Sequence, residues 1–101
     1  MIARIVRVTV KPGYYEQFEA ATGENHRASL QEPGVVQFDV LKDEQNPGEY
    51  VLYEMYRDAE AALAHKETEH YKRWRATVAE MMAGPRQGAD LRLLFPDPSE
   101  V

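Results

Sequence analysis

The sequence predicts a single α+β domain: a four-stranded antiparallel sheet with its helices on one face. Three observations predict it. The chain is 101 residues long, the commonest single-domain size, with no room for a second core. β-Branched runs and helical stretches follow one another in the order β-α-β-β-α-β. The strands are apolar on both faces. The composition, 44% apolar and 29% charged, is that of a globular rather than a disordered chain.

Ile2 to Val10 (IARIVRVTV) is rich in β-branched residues and ends at Lys11-Pro12-Gly13, a turn signal. Tyr14 to Gln31 is a long helical stretch without proline, stopped by Glu32-Pro33-Gly34. Val35 to Leu41 reads as a strand, and Asn46-Pro47-Gly48 marks a turn. Tyr50 to Arg57 is the third strand, so the two form a hairpin. Asp58 is suited to cap a short helix from Ala59 to about Lys66, and Thr68 a second from Glu69 to about Ala83. Gly84-Pro85 ends that helix, and Ala89 to Phe95 completes the strands. The domain is expected over residues 1–96, with a polar tail at 97–101. This order is the split βαβ, or ferredoxin-like, arrangement.

The faces imply an assembly. Helices cover one side of such a sheet, yet Ile5 opposes Val6, Val35 opposes Val36, and Val51, Tyr53 and Met55 oppose Leu52 and Tyr56. A sheet with one wet face alternates more cleanly, and an open second face would leave a large apolar patch. A second copy is the simplest cover, so a homodimer is expected.

Several classes are set aside. With no cysteine there is no disulfide or thiol chemistry, and a cytoplasmic home is the default expectation. No apolar run approaches the roughly 20 residues of a membrane helix, and the first residues resemble a strand rather than a signal peptide. The net charge of −5 argues against nucleic acid. Glycine-rich phosphate loops and a Gly-x-Ser-x-Gly elbow are absent.

The candidate site comes from residues that break their pattern. The first helix carries an apolar stripe through Tyr15, Phe18 and Thr22 that turns polar at Asn25, His26 and Ser29, implying a polar lining. Glu54 interrupts the apolar third strand: it is either paired, with Arg4 a natural partner, or held in a cavity with a raised pKa. The three histidines are His26, His65 and His70. His65 and His70 lack the i, i+4 spacing of a helical metal pair. A His-Glu-His set can still converge in space, but no metal site is expected. Tyr71, Trp74, Val78 and Met81 read as the core face of the last helix.

The runs Asn25-His26-Arg27-Ala28-Ser29-Leu30-Gln31-Glu32-Pro33-Gly34, Phe38-Asp39-Val40-Leu41 and Tyr53-Glu54-Met55-Tyr56-Arg57-Asp58 resemble the antibiotic biosynthesis monooxygenase domain family. So do His65-Lys66-Glu67-Thr68-Glu69-His70-Tyr71 and Gly84-Pro85-Arg86. The resemblance implies a dimeric α+β barrel. Two branches look closest: quinol monooxygenases, which need no bound cofactor, and the autoinducer-2 degrading isomerase of a phosphorylated hydroxy-pentanedione. Haem-degrading relatives carry a tryptophan about where Tyr56 stands; here the only tryptophan is Trp74, so haem degradation is set aside.

Both chemistries begin by removing a proton, from a phenol or from carbon beside a carbonyl, and both need an oxyanion donor. The resemblance and the chemistry point to His26 or His65 as base, with Glu54 orienting or sharing the proton. Asn25 and Tyr56 are the expected oxyanion donors. Ser29, Phe38 and His70 are expected to line the same pocket, and Lys66 and Arg86 suit a phosphate. Phe18, Phe38 and Tyr56 suit a flat ring, which favours cofactor-independent oxygenation of a quinol-type aromatic. Isomerisation of the phosphorylated dione is the alternative, and a non-catalytic ligand-binding module is a third. Convergence of Glu54 with two or more histidines in one cavity separates the enzymes from the module.

Overall fold

The β-branched N-terminal run forms β1 (Ile2–Thr9), and the computed structural model, which describes residues 1–100, pairs it on both sides. β2 (Val35–Lys42) and β3 (Glu49–Tyr56) make the expected hairpin, and β4 (Gln87–Arg92) closes an antiparallel sheet of order β2-β3-β1-β4. The ferredoxin-like α+β fold is thus observed. Gly48 makes the hairpin turn possible. Its φ is +88°, and a Cβ there would meet the Val10 carbonyl oxygen at 2.7 Å.

Helices α1 (Tyr15–Ser29), α2 (Ala59–Lys66) and α3 (Glu69–Val78) pack on one face of the sheet. The predicted caps form: Asp58 Oδ1 accepts the Ala61 N–H at 2.8 Å and Thr68 Oγ1 accepts that of Tyr71 at 3.2 Å, contacts that typically contribute about 1 kcal/mol each. They fix the corner between α2 and α3. Beneath the helices lies a core of Val8, Phe18, Phe38, Tyr50, Leu52, Tyr56, Trp74 and Val78.

Two boundaries differ from the sequence reading. α3 stops at Val78 and a 3₁₀ turn (Ala79–Met81) follows, because the chain here joins the end of β1. The Lys11 N–H donates to the Met81 carbonyl at 2.8 Å, the Ala83 N–H to that of Thr9 at 2.7 Å, and Met81 is buried. β4 runs from Gln87 to Arg92 rather than Ala89 to Phe95, because its partner strand begins at Ile2, opposite Arg92.

The register aligns one row across the helix-covered face. Phe38 on β2 lies opposite Glu54 on β3, Glu54 opposite Arg4 on β1, and Arg4 opposite Asp90 on β4. Three of these four are ionisable, an unusual content for the inner face of a sheet. On the other face Ile5, Val51 and Tyr53 are half-buried, while Leu41 and Leu91 are exposed. No helix covers that side. Among the described residues no helix is long and apolar enough to cross a membrane.

Candidate active site

The charged row opens into a cavity of about 410 Å³ between the sheet and the α2–α3 corner. Arg4, Glu54 and Asp90 rise from the sheet, His65, Lys66 and Tyr71 come from the helices, and Arg86 from the approach to β4. Gly88 lies on the floor opposite Val6, where the missing side chain leaves the space open.

Arg4 is committed to Asp90. Its Nε donates to Oδ1 at 2.8 Å and its Nη2 to Oδ2 at 3.2 Å, a two-pronged pair that holds the Asp90 carboxyl below the usual carboxylate range. The guanidinium also lies 5.3 Å from the centre of the Tyr56 ring. Glu54 has no such cation at bonding distance. It accepts the Tyr56 hydroxyl at 2.5 Å, and burial pushes its pKa up against the opposing effects of that bond and of Arg4. Burial, reinforced by Glu54, likewise raises the Tyr56 hydroxyl, which stays a donor. Glu54 is therefore a carboxyl poised to hold or give a proton.

His65 is the second proton-handling group. Its Nδ1 lies 2.8 Å from Glu32 Oε2, which also takes His70 Nε2 at 2.7 Å. A carboxylate accepts only, so both ring nitrogens are written as N–H donors. His65 Nε2 is left with a lone pair and no protein partner. His65 lines the cavity, and with Nδ1 taken by Glu32 its Nε2 is the ring nitrogen free to act there. Burial lowers the His65 pKa although Glu32 works to raise it. The ring is accordingly neutral at pH 7, as a base must be.

Lys66 and Arg86 supply the remaining charge. Neither has an acidic partner among the described residues. Arg86 is instead laid over the Trp74 ring, its guanidinium carbon 5.0 Å from the ring centre.

Of the residues expected from the sequence, Glu54, His65 and Lys66 meet in this cavity. One histidine thus joins Glu54 there and not the two or more expected, because the His26 ring is turned to the Phe38 carbonyl and His70 stops at Glu32. Tyr56 and His70 stand behind it, Tyr56 bonded to Glu54 and His70 joined to His65 through Glu32. Phe38 is core, packed between the rings of His26 and His65 at centroid distances of 6.3 and 5.6 Å. His26 is not brought to this cavity. It donates to the Phe38 carbonyl oxygen and lines a separate hollow with Glu19, Val40 and Tyr50. Asn25 and Ser29 do not reach the cavity either. They are buried on the α1 stripe, where Thr22 Oγ1 takes the Trp74 indole N–H at 3.0 Å. That polar stripe meets α3, where Asn25 lines only a small hollow of about 70 Å³ with His70 and Trp74.

The sequence reading missed the parts played by Asp90, Glu32 and Tyr71. Asp90 left a signal, sharing strand parity with Gly88 and Arg92. Glu32 was masked by the helix stop beside it.

Comparison with known proteins agrees with this architecture. Residues 1–77 match the antibiotic biosynthesis monooxygenase family. An isomerase of (4S)-4-hydroxy-5-phosphonooxypentane-2,3-dione from Klebsiella pneumoniae is 38% identical over 96 residues, covering 95% of this chain and 98% of that one. The Yersinia enterocolitica protein of the same name is 41% identical over 96 residues, covering 95% and 100%. Among solved structures, a candidate antibiotic biosynthesis monooxygenase of Nitrosomonas europaea superposes with a TM-score of 0.91 at 45% identity, covering 94% and 100%. With the family matched over most of its length and relatives near 40% identity along nearly all of it, the chain belongs to the antibiotic biosynthesis monooxygenase family.

Proposed function

We propose that this protein is an isomerase of a small phosphorylated hydroxy-diketone, of the kind named for its Klebsiella and Yersinia relatives. The observation that carries the reading is the cavity's pairing of two cations without acidic partners, Lys66 and Arg86, with two proton-handling groups, Glu54 and His65. A phosphate needs the first pair and an enolisation needs the second. The aromatic residues that would favour a flat quinol ring, Phe18 and Phe38, are sealed in the core instead.

In such a substrate C4 bears a hydrogen and a hydroxyl and adjoins the C3 carbonyl. His65 Nε2 takes the C4 proton, and the electron pair moves into a C3–C4 double bond with the charge on the C3 oxygen. Glu54, neutral at this stage, gives that oxygen its proton. The 4-hydroxyl then loses its proton to Glu54, and C3 takes a proton from His65. A carbonyl has moved from C3 to C4, atoms and electrons balance, and neither oxygen nor a redox partner enters. Lys66 and Arg86 hold the phosphate throughout. The protein is taken to act as a homodimer through its uncovered sheet face.

Turnover of the phosphorylated dione in deuterated water, followed by NMR, tests this. One deuterium is expected at the new C–H with no oxygen consumed, and His65→Gln should abolish it. Absence of turnover, or oxygen uptake with quinols in its place, overturns the assignment.

A further inference from the structure

The α2–α3 corner gathers three donors of a kind that metal ions use. One donor atom from each of Glu32, His65 and His70 lies within 4.8 Å of the others, and Glu32 Oε2 is 2.8 Å from His65 Nδ1 and 2.7 Å from His70 Nε2. Each comes from a different element: Glu32 from the turn after α1, His65 from the last turn of α2, His70 from the first turn of α3. The backbone around them is pinned. The Glu32 N–H donates to Ser29 at 3.0 Å and its carbonyl accepts from Val35 at 3.2 Å. Thr68, between the histidines, bonds the His65 carbonyl at 2.7 Å while capping α3.

We propose that Glu32, His65 and His70 form a binding site for a divalent ion of the zinc class. Two imidazoles and a carboxylate suit Zn²⁺, Co²⁺ or Ni²⁺ better than Mg²⁺ or Ca²⁺, which prefer all-oxygen shells. Tetrahedral zinc with bonds of about 2.1 Å spaces its ligands about 3.4 Å apart. The two histidine–glutamate distances, 2.8 and 2.7 Å, need to open only slightly. Glu32 and His70 are partly exposed, which leaves the ion an approach from solvent and positions for water.

Binding has a consequence for the cavity. The hydrogens now on His65 Nδ1 and His70 Nε2 must leave for the ion to bond there. In a neutral imidazole each moves to the other ring nitrogen. His65 Nε2, whose lone pair is free to act in the cavity in the free protein, becomes an N–H donor. If the isomerase reading holds, the ion withdraws the base.

The test is titration of the chelator-treated full chain with ZnCl₂, followed by competition with a chromophoric chelator and by ¹⁵N spectra of the imidazoles. One ion per chain is expected. His65 Nε2 should change from a lone-pair to an N–H signal, and His26 should stay unmoved. His70→Gln and Glu32→Gln, each checked for folding by circular dichroism, should weaken binding at least about tenfold. Failure to bind below about millimolar zinc overturns the site, as does binding that leaves the His65 and His70 signals unchanged. The spectra read the site itself, so they decide it whether or not the isomerase reading survives.

Discussion

Arg4 stands directly opposite Glu54 in the β1–β3 register, yet it gives its guanidinium to Asp90 on β4, at 2.8 and 3.2 Å. This choice leaves Glu54 buried with a tyrosine hydroxyl as its hydrogen-bond donor and no cation bonded to it. A carboxyl whose folded pKa is raised stabilises the fold fully below its ordinary value, and that stabilisation is lost as pH rises through the folded value. At neutral pH the ionisable group is thus a burden on stability. Glu54→Gln, which keeps an acceptor for Tyr56, should raise stability at pH 7, since burial pushes the Glu54 carboxyl up. The gain should disappear near pH 4, and isomerase turnover should fall at least about a hundredfold. Thermal melts at the two pH values, set beside turnover, check this.

Asp90→Asn offers the converse. It frees Arg4 to reach Glu54, whose pKa should drop as an opposite charge arrives. Turnover should fall about tenfold or more although Glu54 and His65 are both intact. Full activity in this variant would show that the Arg4–Asp90 pair plays no part in tuning Glu54.

The His65–Glu32 bond sets the pH response. Burial holds the His65 pKa below its ordinary value of about 6.5, against the pull of Glu32. The ring should therefore stay a base from alkaline pH down to about 6.5, so the acid limb of kcat/KM lies below that value, while loss of the Glu54 proton sets the alkaline limb. Stability follows the same sign. The unfolded histidine takes its proton at about 6.5, so stability declines as pH drops from there to the folded value. Glu32→Gln removes the opposing charge and should move the acid limb of the rate profile to lower pH. A limb that moves upward would contradict this account.

How much of this was legible differs from residue to residue. The order of strands and helices followed from β-branched runs, turn residues and caps, and Asp58 and Thr68 cap as expected. Glu54 and His65 stood out because each breaks the pattern of its element. Arg4 was expected beside Glu54 but pairs with Asp90, which was harder to see, since a charged residue on a strand ordinarily faces water and only the register puts it on the inner face. The polar half of α1 misled for a different reason. A helical period says that Thr22, Asn25 and Ser29 share a face, not whether that face meets a ligand space or another helix. Trp74, two strands and one helix further along the chain, supplied the partner. Where α3 ends was likewise decided by pairing with β1, beyond the reach of local preference.

Lys66 and Arg86 carry the phosphate reading. Lys66→Ala and Arg86→Ala should each raise KM for a phosphorylated dione about tenfold or more while kcat changes little. Inorganic phosphate should compete with substrate in the wild type and lose that effect in the double variant. Equal loss of kcat with unchanged KM would mean that these cations act on the reacting carbons and not on a phosphate.

Assembly is tested through the face that no helix covers. Ile5 and Tyr53 pair across β1 and β3, Leu41 pairs with Val51, and Leu41 and Leu91 stand 51% and 49% exposed. A continuous apolar sheet face is unfavourable in water, at roughly 25 cal/mol for each Å² left exposed. Two copies packed through it would exclude that water from both, and a specific contact buries more than about 1,000 Å² in total. Val51 lies on this face, between Leu41 on β2 and Arg7 on β1. Val51→Lys puts a like charge from each copy into the contact and should split the dimer. Light scattering should give twice the chain mass for the wild type at micromolar concentration and the single-chain mass for the variant. Circular dichroism distinguishes a dissociated fold from a lost one. A wild-type chain that is monomeric at that concentration would refute the dimer, whatever the variant does.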